Sequence, residues 1–202
     1  MDNSPKSETS TSEQLLANSL REHLETFQAL TGTILTDIER AGDVICKALA
    51  AGNKVLVCGN GGSAADAQHF AAELVGRYEK HRRSFPAIAL TTDTSALTAI
   101  SNDYGYDEVF ARQVDGLAQA GDVLVAISTS GKSPSILKAV AKAKERGCQS
   151  IALSGAGAEP LSSSCDVAVV VPGQRTSRIQ EAHITIIHMW CELVDATCPG
   201  HL

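Results

Sequence analysis

Two otherwise apolar stretches of the sequence carry side chains that could bind a metal or move protons. In the first stretch, His69 and Glu73 are four residues apart, so on a helix they share one face. An imidazole and a carboxylate at this spacing can ligate a metal or act as general acid and base. The same spacing also occurs in ordinary exposed pairs, and the two residues alone leave both interpretations open.

The second stretch contains Gln180, Glu181, His183 and His188. At about 100° per residue, Glu181 and His188 point in nearly the same direction, whereas Gln180 lies about 80° from His188. Periodicity alone therefore favours Glu181 over Gln180 as the partner of His188. Polar groups on such a helix can instead be buried structural residues or belong to a subunit interface.

The segment Ser128–Ser135, which we call the hydroxyl loop, follows an apolar run and places five hydroxyls within eight residues. Such hydroxyls, together with free amides at a helix start, can satisfy the oxygens of a phosphate without an arginine. Pro134 suits the first turn of that helix. A capped polar turn needs one hydroxyl rather than five, so we predict that the loop binds the phosphate of a small molecule. Lys132 could add charge or simply be solvated.

The segment Gly59–Ser63, which we call the glycine loop, also follows a strand-like run and precedes a helix-like one. Its glycines would let the backbone approach a ligand closely, next to the amides of a helix N-terminus. The spacing matches neither a dinucleotide fingerprint nor a Walker A loop. The alternative interpretation is a tight turn in which Ser63 is the helix N-cap.

Two further polar segments are candidates for binding or for simple solvation. Asn102 and Asp103 follow a helix-like run and could bond sugar hydroxyls or form an Asx-turn. The basic cluster of residues 81–83 (His, Arg, Arg) precedes a strand-like run, and we expect it to be a solvated face.

The elements that must position these residues alternate between strand and helix. The strand candidates are short and apolar on both faces, which is typical of a parallel sheet covered on both sides. They are Lys54–Cys58, Ala87–Leu90, Asp122–Ile127, Ser150–Leu153 and Val167–Val171. The helix candidates that separate and follow them are Ala64–Arg77, Thr94–Ser101, Glu108–Leu117, Pro134–Arg146, Glu159–Ser164 and Ser177–Ala196. This order predicts a three-layer α/β fold with a doubly wound five-stranded parallel sheet, which binds ligands beyond the carboxyl ends of its strands.

The sequence also divides into three regions. Residues 1–14 are polar and predicted to be flexible. Residues 15–51 contain helical apolar spacing over Leu15–Leu35 and Ile38–Ala51, and these two helices could cover the core or mediate oligomerisation. Residues 52–198 form the predicted α/β domain.

Composition excludes several classes of function. The 202 residues carry a net charge of −6, which disfavours nucleic-acid binding and attachment to an anionic membrane surface. No apolar run reaches the roughly 20 residues needed to span a bilayer, and no signal-peptide pattern is found. The six scattered cysteines are typical of small buried side chains rather than of a disulfide framework. We therefore expect a cytoplasmic protein.

Taken together, four runs of this sequence resemble the signature of bacterial phosphoheptose isomerases, and the order and spacing match over residues 51–196. The runs are G-N-G-G-S-A-A-D-A-Q-H-F-A-A-E-L, L-T-A-I-S-N-D-Y-G-Y, A-I-S-T-S-G-K-S-P and R-I-Q-E-A-H-I-T-I-I-H. The resemblance implies a flavodoxin-like sugar isomerase (SIS) domain in a homotetramer built with the N-terminal helices. It also implies isomerisation of sedoheptulose 7-phosphate to glycero-manno-heptose 7-phosphate, the first step towards nucleotide-activated heptose.

The resemblance further implies roles for individual residues. One zinc ion per subunit would be bound by His69, Glu73, Gln180 and His188, so the family uses Gln180 rather than Glu181. The implied substrate contacts are Asn60, Gly61, Gly62, Ser63, Glu73, Asn102, Asp103, Ser128, Thr129, Ser130, Ser133 and Gln180.

For the reaction through an enediol(ate), we expect Glu73 to be the base and His188 its acid–base partner. A zinc-bound carboxylate is a weaker base, so either Glu73 leaves the metal during turnover or another base acts.

Two alternatives remain at this point. A neighbouring branch of similar bacterial proteins binds the replication initiator and typically lacks the glutamate and the histidine found here as Glu73 and His188. Because this chain keeps both residues, we favour an enzyme. The second alternative is an SIS isomerase of another sugar phosphate, such as a pentose or hexose phosphate.

Overall fold

The computed structural model describes residues 11–198, and its centre is a sheet of five strands that are parallel to their neighbours. The strands are β1 (Val55–Gly59), β2 (Ala87–Ala89), β3 (Val123–Ser128), β4 (Gln149–Gly155) and β5 (Val167–Val171). Their order in the sheet is β2-β1-β3-β4-β5. The chain leaves β1 towards one edge and β3 towards the other, so a topological switch point lies between these two strands. The predicted doubly wound parallel sheet is confirmed.

Helices cover both faces of this sheet. They are α1 (Thr11–Gln28), α2 (Thr33–Ala50), α3 (Gly62–Val75), α4 (Thr94–Tyr104), α5 (Val109–Leu117), α6 (Pro134–Glu145), α7 (Leu161–Ser164) and α8 (Thr176–Thr197). A single 3₁₀ turn, Tyr106–Glu108, joins α4 to α5. Among residues 11–198, no helix is both long and apolar enough to cross a bilayer.

Alternate residues of each strand enter two separate hydrophobic cores. On β1, Val55 and Val57 pack with α2, α3 and α8, whereas Leu56 and Cys58 pack with α5 and α6. Successive side chains of a strand point to opposite faces, which explains why these strands are apolar throughout. As a result, α3 and α8, which carry the candidate metal and proton-transfer residues, lie side by side on one face of the sheet.

The long helix α8 is held against α2 by a close approach. A Cβ atom on Gly42 would lie only 2.4 Å from Leu193 Cδ1, so glycine lets the two helices pack here without displacing the Leu193 side chain. The indole Nε1 of buried Trp190 donates a 3.0 Å hydrogen bond to the carbonyl of Ile38. These contacts fix the position of α8 relative to the rest of the domain.

The N-terminal region differs from its prediction in where the helices end. The first helix stops at Gln28 rather than near Leu35, and α2 begins at Thr33. Gly32 has a φ of +96°, a conformation that favours glycine and that breaks the run of helically spaced leucines. Residues 11–14, expected to be part of the flexible region, belong to α1. The rest of that region, residues 1–10, lies outside the described residues.

The cysteines are all free thiols, as their scattered positions predict. Cys58, Cys148, Cys191 and Cys198 are buried, and burial raises the pKa of the Cys191 thiol to about 12. These side chains therefore behave as small apolar residues of the core.

Candidate active site

The glycine loop turns the chain from β1 into α3 in very little space. Gly61 has a φ of +57° and is the N-cap of α3, so Ser63 is not the cap but a buried residue of the first turn. A Cβ atom on Gly59 would lie 2.3 Å from the Ser63 carbonyl oxygen. These glycines are therefore required by the local backbone, and they open the start of α3 towards the edge of the sheet where ligands bind.

The hydroxyl loop turns the chain from β3 into α6 and is held by its own backbone. Ser128 Oγ accepts a 3.1 Å hydrogen bond from the Gly131 amide, and Ser130 Oγ accepts one of 3.3 Å from the Lys132 amide. Gly131 has a φ of +66°, and a Cβ atom there would lie 2.1 Å from the Ala158 carbonyl oxygen. The loop is thus a tight turn whose hydroxyls surround the N-terminus of α6, where the helix dipole favours an anion.

The two loops meet at the topological switch point. Gly59 on β1 pairs with Ile127 on β3, so both loops start at the same level of the sheet. Asn60 Nδ2 donates a 3.0 Å hydrogen bond to Ser135 Oγ, which joins the glycine loop directly to the first turn of α6. A ligand that enters at this point can contact both loops at once.

The predicted proton-transfer residues meet between α3 and α8, and we call His69, Glu73 and His188 the helix cluster. His69 Nε2 lies 3.1 Å from Glu73 Oε1 and 3.4 Å from His188 Nε2. The two imidazole rings meet edge to face, with centroids 5.1 Å apart. His69 and Glu73 are therefore not an ordinary exposed pair, because a third polar group from α8 shares their site. The cluster is reachable from solvent, since 43% of the His69 side chain and 23% of the Glu73 side chain are exposed.

The ring of His188 has a second neighbour that the sequence did not single out. Tyr78, which follows α3, stacks on His188 with ring centroids 5.6 Å apart and an angle of 29° between the planes. His188 is thus held between two rings, one of which belongs to His69. Tyr78 lies between α3 and the basic cluster of residues 81–83, and nothing in the local sequence predicts a role for it in the site.

The basic cluster of residues 81–83 is only in part the solvated face that we predicted, because His81 and Arg83 are exposed but Arg82 is not. Arg82 is buried, with its Nε 2.7 Å from Asp195 Oδ1 on α8. Its guanidinium also donates hydrogen bonds to the carbonyls of Glu73 (2.8 Å) and Leu74 (3.0 Å) at the end of α3. The reason is that the last carbonyls of a helix lack intrahelical donors, and a guanidinium can satisfy several at once.

Asp195, the partner of Arg82, also binds the backbone of the segment that follows α3. Its Oδ2 accepts hydrogen bonds from the backbone amides of Glu79 and Lys80. Burial by itself would raise the pKa of the Asp195 carboxyl, but the hydrogen bonds from the Lys80 amide, Arg82 and the Glu79 amide outweigh it and hold the pKa below its usual range. The ion pair therefore ties the ends of α3 and α8 together next to the helix cluster.

Gln180 and Glu181 separate in a way that periodicity did not predict. A Cβ atom on Gly62 would lie 2.3 Å from Gln180 Nε2, so the Gln180 side chain rests on the glycine loop. Glu181 instead pairs with His23 of α1 (2.8 Å) and with Arg178 (2.9 Å), away from the helix cluster. The preference for Glu181 was therefore wrong within this chain, because α1 covers that part of α8.

The position of Gln180 also separates it from the helix cluster. Gln180 meets Gly62 while His188 meets His69, so α3 and α8 run in the same direction. Eight residues of helix between Gln180 and His188 correspond to about 12 Å along the axis. Within one chain, Gln180 therefore belongs to the glycine-loop end of the site, and its role as a fourth metal ligand stays a prediction.

The helix cluster has donor atoms suited to a tetrahedral divalent ion. Ligand atoms bound at about 2.0–2.1 Å in a tetrahedron lie about 3.3 Å apart. The spacings of 3.4 Å between the two Nε2 atoms and 3.1 Å between His69 Nε2 and Glu73 Oε1 are close to such edges. Over residues 11–198, no three histidine, cysteine, aspartate or glutamate side chains already form a complete metal-binding group. The donors therefore fit zinc in type and in two spacings, and small side-chain rotations would have to bring them onto one centre.

Comparison with known proteins identifies the family. The SIS domain family matches residues 19–155. The phosphoheptose isomerase of Nitratiruptor sp. is 56% identical over 176 residues, which cover 87% of this chain and 94% of that protein. The chain belongs to the phosphoheptose isomerase family. This confirms the resemblance found in the four sequence runs.

Solved structures of phosphoheptose isomerases share the whole fold. The enzyme from Neisseria gonorrhoeae is 45% identical and superposes with a TM-score of 0.88, and the one from Francisella tularensis is 35% identical with a TM-score of 0.90. Each match covers 93% of this chain and 100% of the other.

Asp66 is a second residue near the helix cluster that the sequence analysis missed. It lies on α3 one turn before His69, and its Oδ2 is buried without a hydrogen-bond partner among the described residues. Burial raises the pKa of this carboxyl to about 6, and the nearby His69 opposes the shift only in part. Its surroundings in the sequence are alanines, so no pattern marks it.

Asn102 and Asp103 lie in the last turn of α4 rather than in a loop, because the helix continues to Tyr104. Both are exposed, and Asn102 Nδ2 donates a 2.9 Å hydrogen bond to Asp103 Oδ1. The following 3₁₀ turn brings this segment to the glycine loop, where Tyr106 contacts Asn60. The contact with the glycine loop is therefore made by Tyr106, three residues after Asp103.

His183, which the sequence left open, is structural. It is fully buried on α8, and neither ring nitrogen has a hydrogen-bond partner in the part of the chain that the structure describes. Burial lowers the pKa of His183 to about 4, and an approach by the Ser154 backbone, short of a hydrogen bond, opposes this only in part. Ser154 in turn donates a hydrogen bond to the Ser128 carbonyl, so His183 lies beneath the hydroxyl loop as a neutral ring.

Proposed function

We propose that this protein isomerises sedoheptulose 7-phosphate to D-glycero-D-manno-heptose 7-phosphate, the first step of nucleotide-activated heptose biosynthesis. The observation that carries the proposal is the meeting of Glu73 and His188 at His69, where His69 and Glu73 lie on the helix that the glycine loop begins, in a chain of the phosphoheptose isomerase family. An initiator-binding protein needs neither of these proton-transfer groups, and the enzyme names of the relatives favour catalysis.

The substrate phosphate binds in the hydroxyl loop. The phosphate oxygens are bound by the amides at the start of α6 and by the hydroxyls of four residues, which are Ser128, Thr129, Ser130 and Ser133. Ser133 supports it because it occupies the N-cap of α6 without its hydroxyl accepting a cap hydrogen bond. The phosphate then carries its charge at the positive end of the helix dipole.

The sugar chain extends from the hydroxyl loop across the glycine loop to the helix cluster. The residues proposed to contact it are Asn60, Gly61, Gly62, Ser63, Asn102, Asp103 and Gln180. Gly62 and His69 are seven residues apart on α3, which is about 10 Å along the helix axis.

Glu73 and His188 move the protons. Glu73 removes a proton from C1 of the ketose, and a proton is delivered to the C2 oxygen, which gives the enediol. Return of a proton to C2 and loss of the proton from the C1 oxygen then give the aldose, so no atoms are gained or lost. His188 exchanges the oxygen-bound protons, and its stack on Tyr78 limits the directions in which its ring can turn.

His69, Glu73 and His188 would hold one zinc ion per subunit, and Gln180, which lies about 12 Å along α8 from His188 of the same chain, would join them from another copy of the chain. When bound, zinc supplies a Lewis acid that polarises the sugar carbonyl. His69 contacts both Glu73 and His188, and these direct contacts orient both side chains.

We also propose a cytoplasmic homotetramer in which the N-terminal helices meet. Support comes from four leucines on α1 that are 60–67% exposed: Leu15, Leu16, Leu20 and Leu24. Such a stripe is large for a free surface and suits burial against another copy. Sedimentation of the purified protein measures the number of chains.

The decisive experiment is turnover of sedoheptulose 7-phosphate by the purified protein. We expect the aldose product, loss of activity after dialysis against a chelator, and recovery when zinc is returned. A panel of pentose and hexose phosphates should be turned over much more slowly. Absence of turnover with zinc present would refute the proposed reaction, and full activity after complete zinc removal would refute the role of zinc.

A further inference from the structure

The side chain of Tyr106 joins the turn between α4 and α5 to the glycine loop. Its hydroxyl donates a 2.8 Å hydrogen bond to Asn60 Oδ1. Tyr106 belongs to the 3₁₀ turn after α4, and 53% of it is exposed. An exposed tyrosine whose hydroxyl is nevertheless directed at a residue of the site has a position that simple solvation does not explain.

The other end of the Asn60 amide is also fixed. Asn60 Nδ2 donates a 3.0 Å hydrogen bond to Ser135 Oγ, and Ser135 is buried in the first turn of α6. A side-chain amide has one oxygen and two N–H groups, and a half-turn exchanges the oxygen with the nitrogen. Because the Tyr106 hydroxyl holds one end of the Asn60 amide and Ser135 Oγ holds the other, the two contacts together fix the plane of the amide and leave its second N–H group for a ligand.

The segment that carries Tyr106 is itself held in place. In the same 3₁₀ turn, Glu108 Oε1 lies 2.7 Å from Lys138 Nζ on α6. On the other side of the turn, the Arg112 guanidinium lies 3.8 Å from the centre of the Tyr104 ring. The Tyr106 hydroxyl is therefore presented to Asn60 by a turn that is anchored at both ends.

We infer that Tyr106 is a positioning residue for the isomerase: it fixes the Asn60 amide so that the second N–H of that amide faces the sugar. Tyr106 acts through Asn60 and need not touch the reacting carbons. The inference rests on the proposed function for its substrate and predicts an effect on binding rather than on proton transfer. Loss of the phenol hydroxyl leaves the amide free to turn, which weakens one polar contact with the substrate.

The test compares Tyr106→Phe with the matched control Tyr104→Phe. For Tyr106→Phe we expect the KM for sedoheptulose 7-phosphate to rise about 3- to 10-fold, as for the loss of one ordinary hydrogen bond, with kcat within about twofold. For Tyr104→Phe both constants should stay near those of the unmodified protein, since its ring contact with Arg112 is kept. An unchanged KM in Tyr106→Phe would overturn the inference.

A double-mutant cycle with Asn60→Ala separates positioning from a direct role. If Tyr106 acts through Asn60, Tyr106→Phe should change KM by less than about twofold once Asn60 is alanine. The same fold-change in both backgrounds would show that Tyr106 does not act through Asn60.

Side-chain amide resonances give a readout that does not depend on turnover. In spectra of the ¹⁵N-labelled protein, the Asn60 NH₂ signals should shift or broaden in Tyr106→Phe and stay in place in Tyr104→Phe. If the unmodified protein turned over no heptose phosphate, the proposed function would fail, while this measurement would still decide the inference. Unmoved Asn60 signals in Tyr106→Phe would refute it.

Discussion

The hydroxyl loop and the helix cluster serve the same proposed substrate but are held by different kinds of contact. The hydroxyl loop is fixed by main-chain groups: the Gly131 amide bonds Ser128, and the Gly131 α-carbon lies against the Ala158 carbonyl. In the helix cluster, His69 and His188 meet only through their side chains, from helices whose contacting residues are 119 positions apart. A backbone turn is stiff, whereas a set of side chains can rotate.

This difference matches what each region must do. A phosphate stays bound and unchanged through the reaction, so a fixed cradle of hydroxyls and amides suits it. Proton-transfer groups and metal donors must change partners during turnover, so partly exposed side chains on anchored helices suit them. The anchor is the buried Arg82–Asp195 pair, which holds the ends of α3 and α8 without entering the cluster.

The largest effect is expected from variants that remove the proton-transfer groups of the helix cluster and leave the hydroxyl loop unchanged. In Glu73→Gln and in His188→Gln, we expect kcat to fall by about 10²- to 10⁴-fold, because each variant lacks a proton-transfer group. Since both side chains are partly exposed, the thermal unfolding temperature should change little. Steady-state kinetics measures this, with Glu145→Gln on the exposed surface of α6 as the control. Near-normal turnover in both variants would break the assignment of chemistry to the helix cluster.

A smaller effect concerns the buried ring beneath the hydroxyl loop. Because the pKa of His183 is lowered to about 4, the unfolded chain takes up a proton below pH about 6.5 while the folded chain does not. The contribution of this group to stability is therefore complete above that pH and is lost as the pH falls towards 4, by about 3 kcal/mol in all.

Urea unfolding at fixed protein concentration between pH 7 and pH 4.5 measures this loss. His183→Met should flatten the pH dependence, and His81→Gln, which alters an exposed histidine, should leave it as it is. If the stability of His183→Met depended on pH as steeply as that of the unmodified protein, His183 would not be the source of the acid sensitivity.

The smallest expected effect comes from one methyl group added in the hydroxyl loop and, for comparison, one added in the glycine loop at the start of α3. Gly131→Ala requires alanine at a φ of +66° and directs its Cβ atom into the Ala158 carbonyl, so we expect a loss of about 1–3 kcal/mol in the free energy of unfolding. Gly62→Ala meets only the flexible end of Gln180, so stability should stay within about 0.5 kcal/mol while Gln180 moves. Chemical denaturation of both variants checks the contrast, and equal losses would mean that the hydroxyl loop and the glycine loop are equally rigid.

Much of the fold could be predicted because its signals are local. Short runs that are apolar on both faces predicted the strands, and the alternation with helices predicted the doubly wound sheet. The break between α1 and α2 was misplaced, because the leucine spacing continues past Gln28 and the φ of +96° at Gly32 is not visible in the sequence. The end of α4 was placed too early for a similar reason, since Asn102 and Asp103 favour turns yet complete a helix here.

By itself, the sequence determined the two loops and the identity of the residues that could do chemistry. Hydroxyls and glycines that are consecutive in the chain make a turn whose shape depends on neighbours in sequence, and His69 and Glu73 are paired by helical geometry alone. Only the tertiary structure decided which distant groups join them. The packing of α3 beside α8 brought His188 to His69, seated Gln180 on Gly62, and turned Glu181 towards α1. It also buried Arg82 against Asp195 and aimed Tyr106 at Asn60, because contacts between distant segments depend on helix positions that no local pattern encodes.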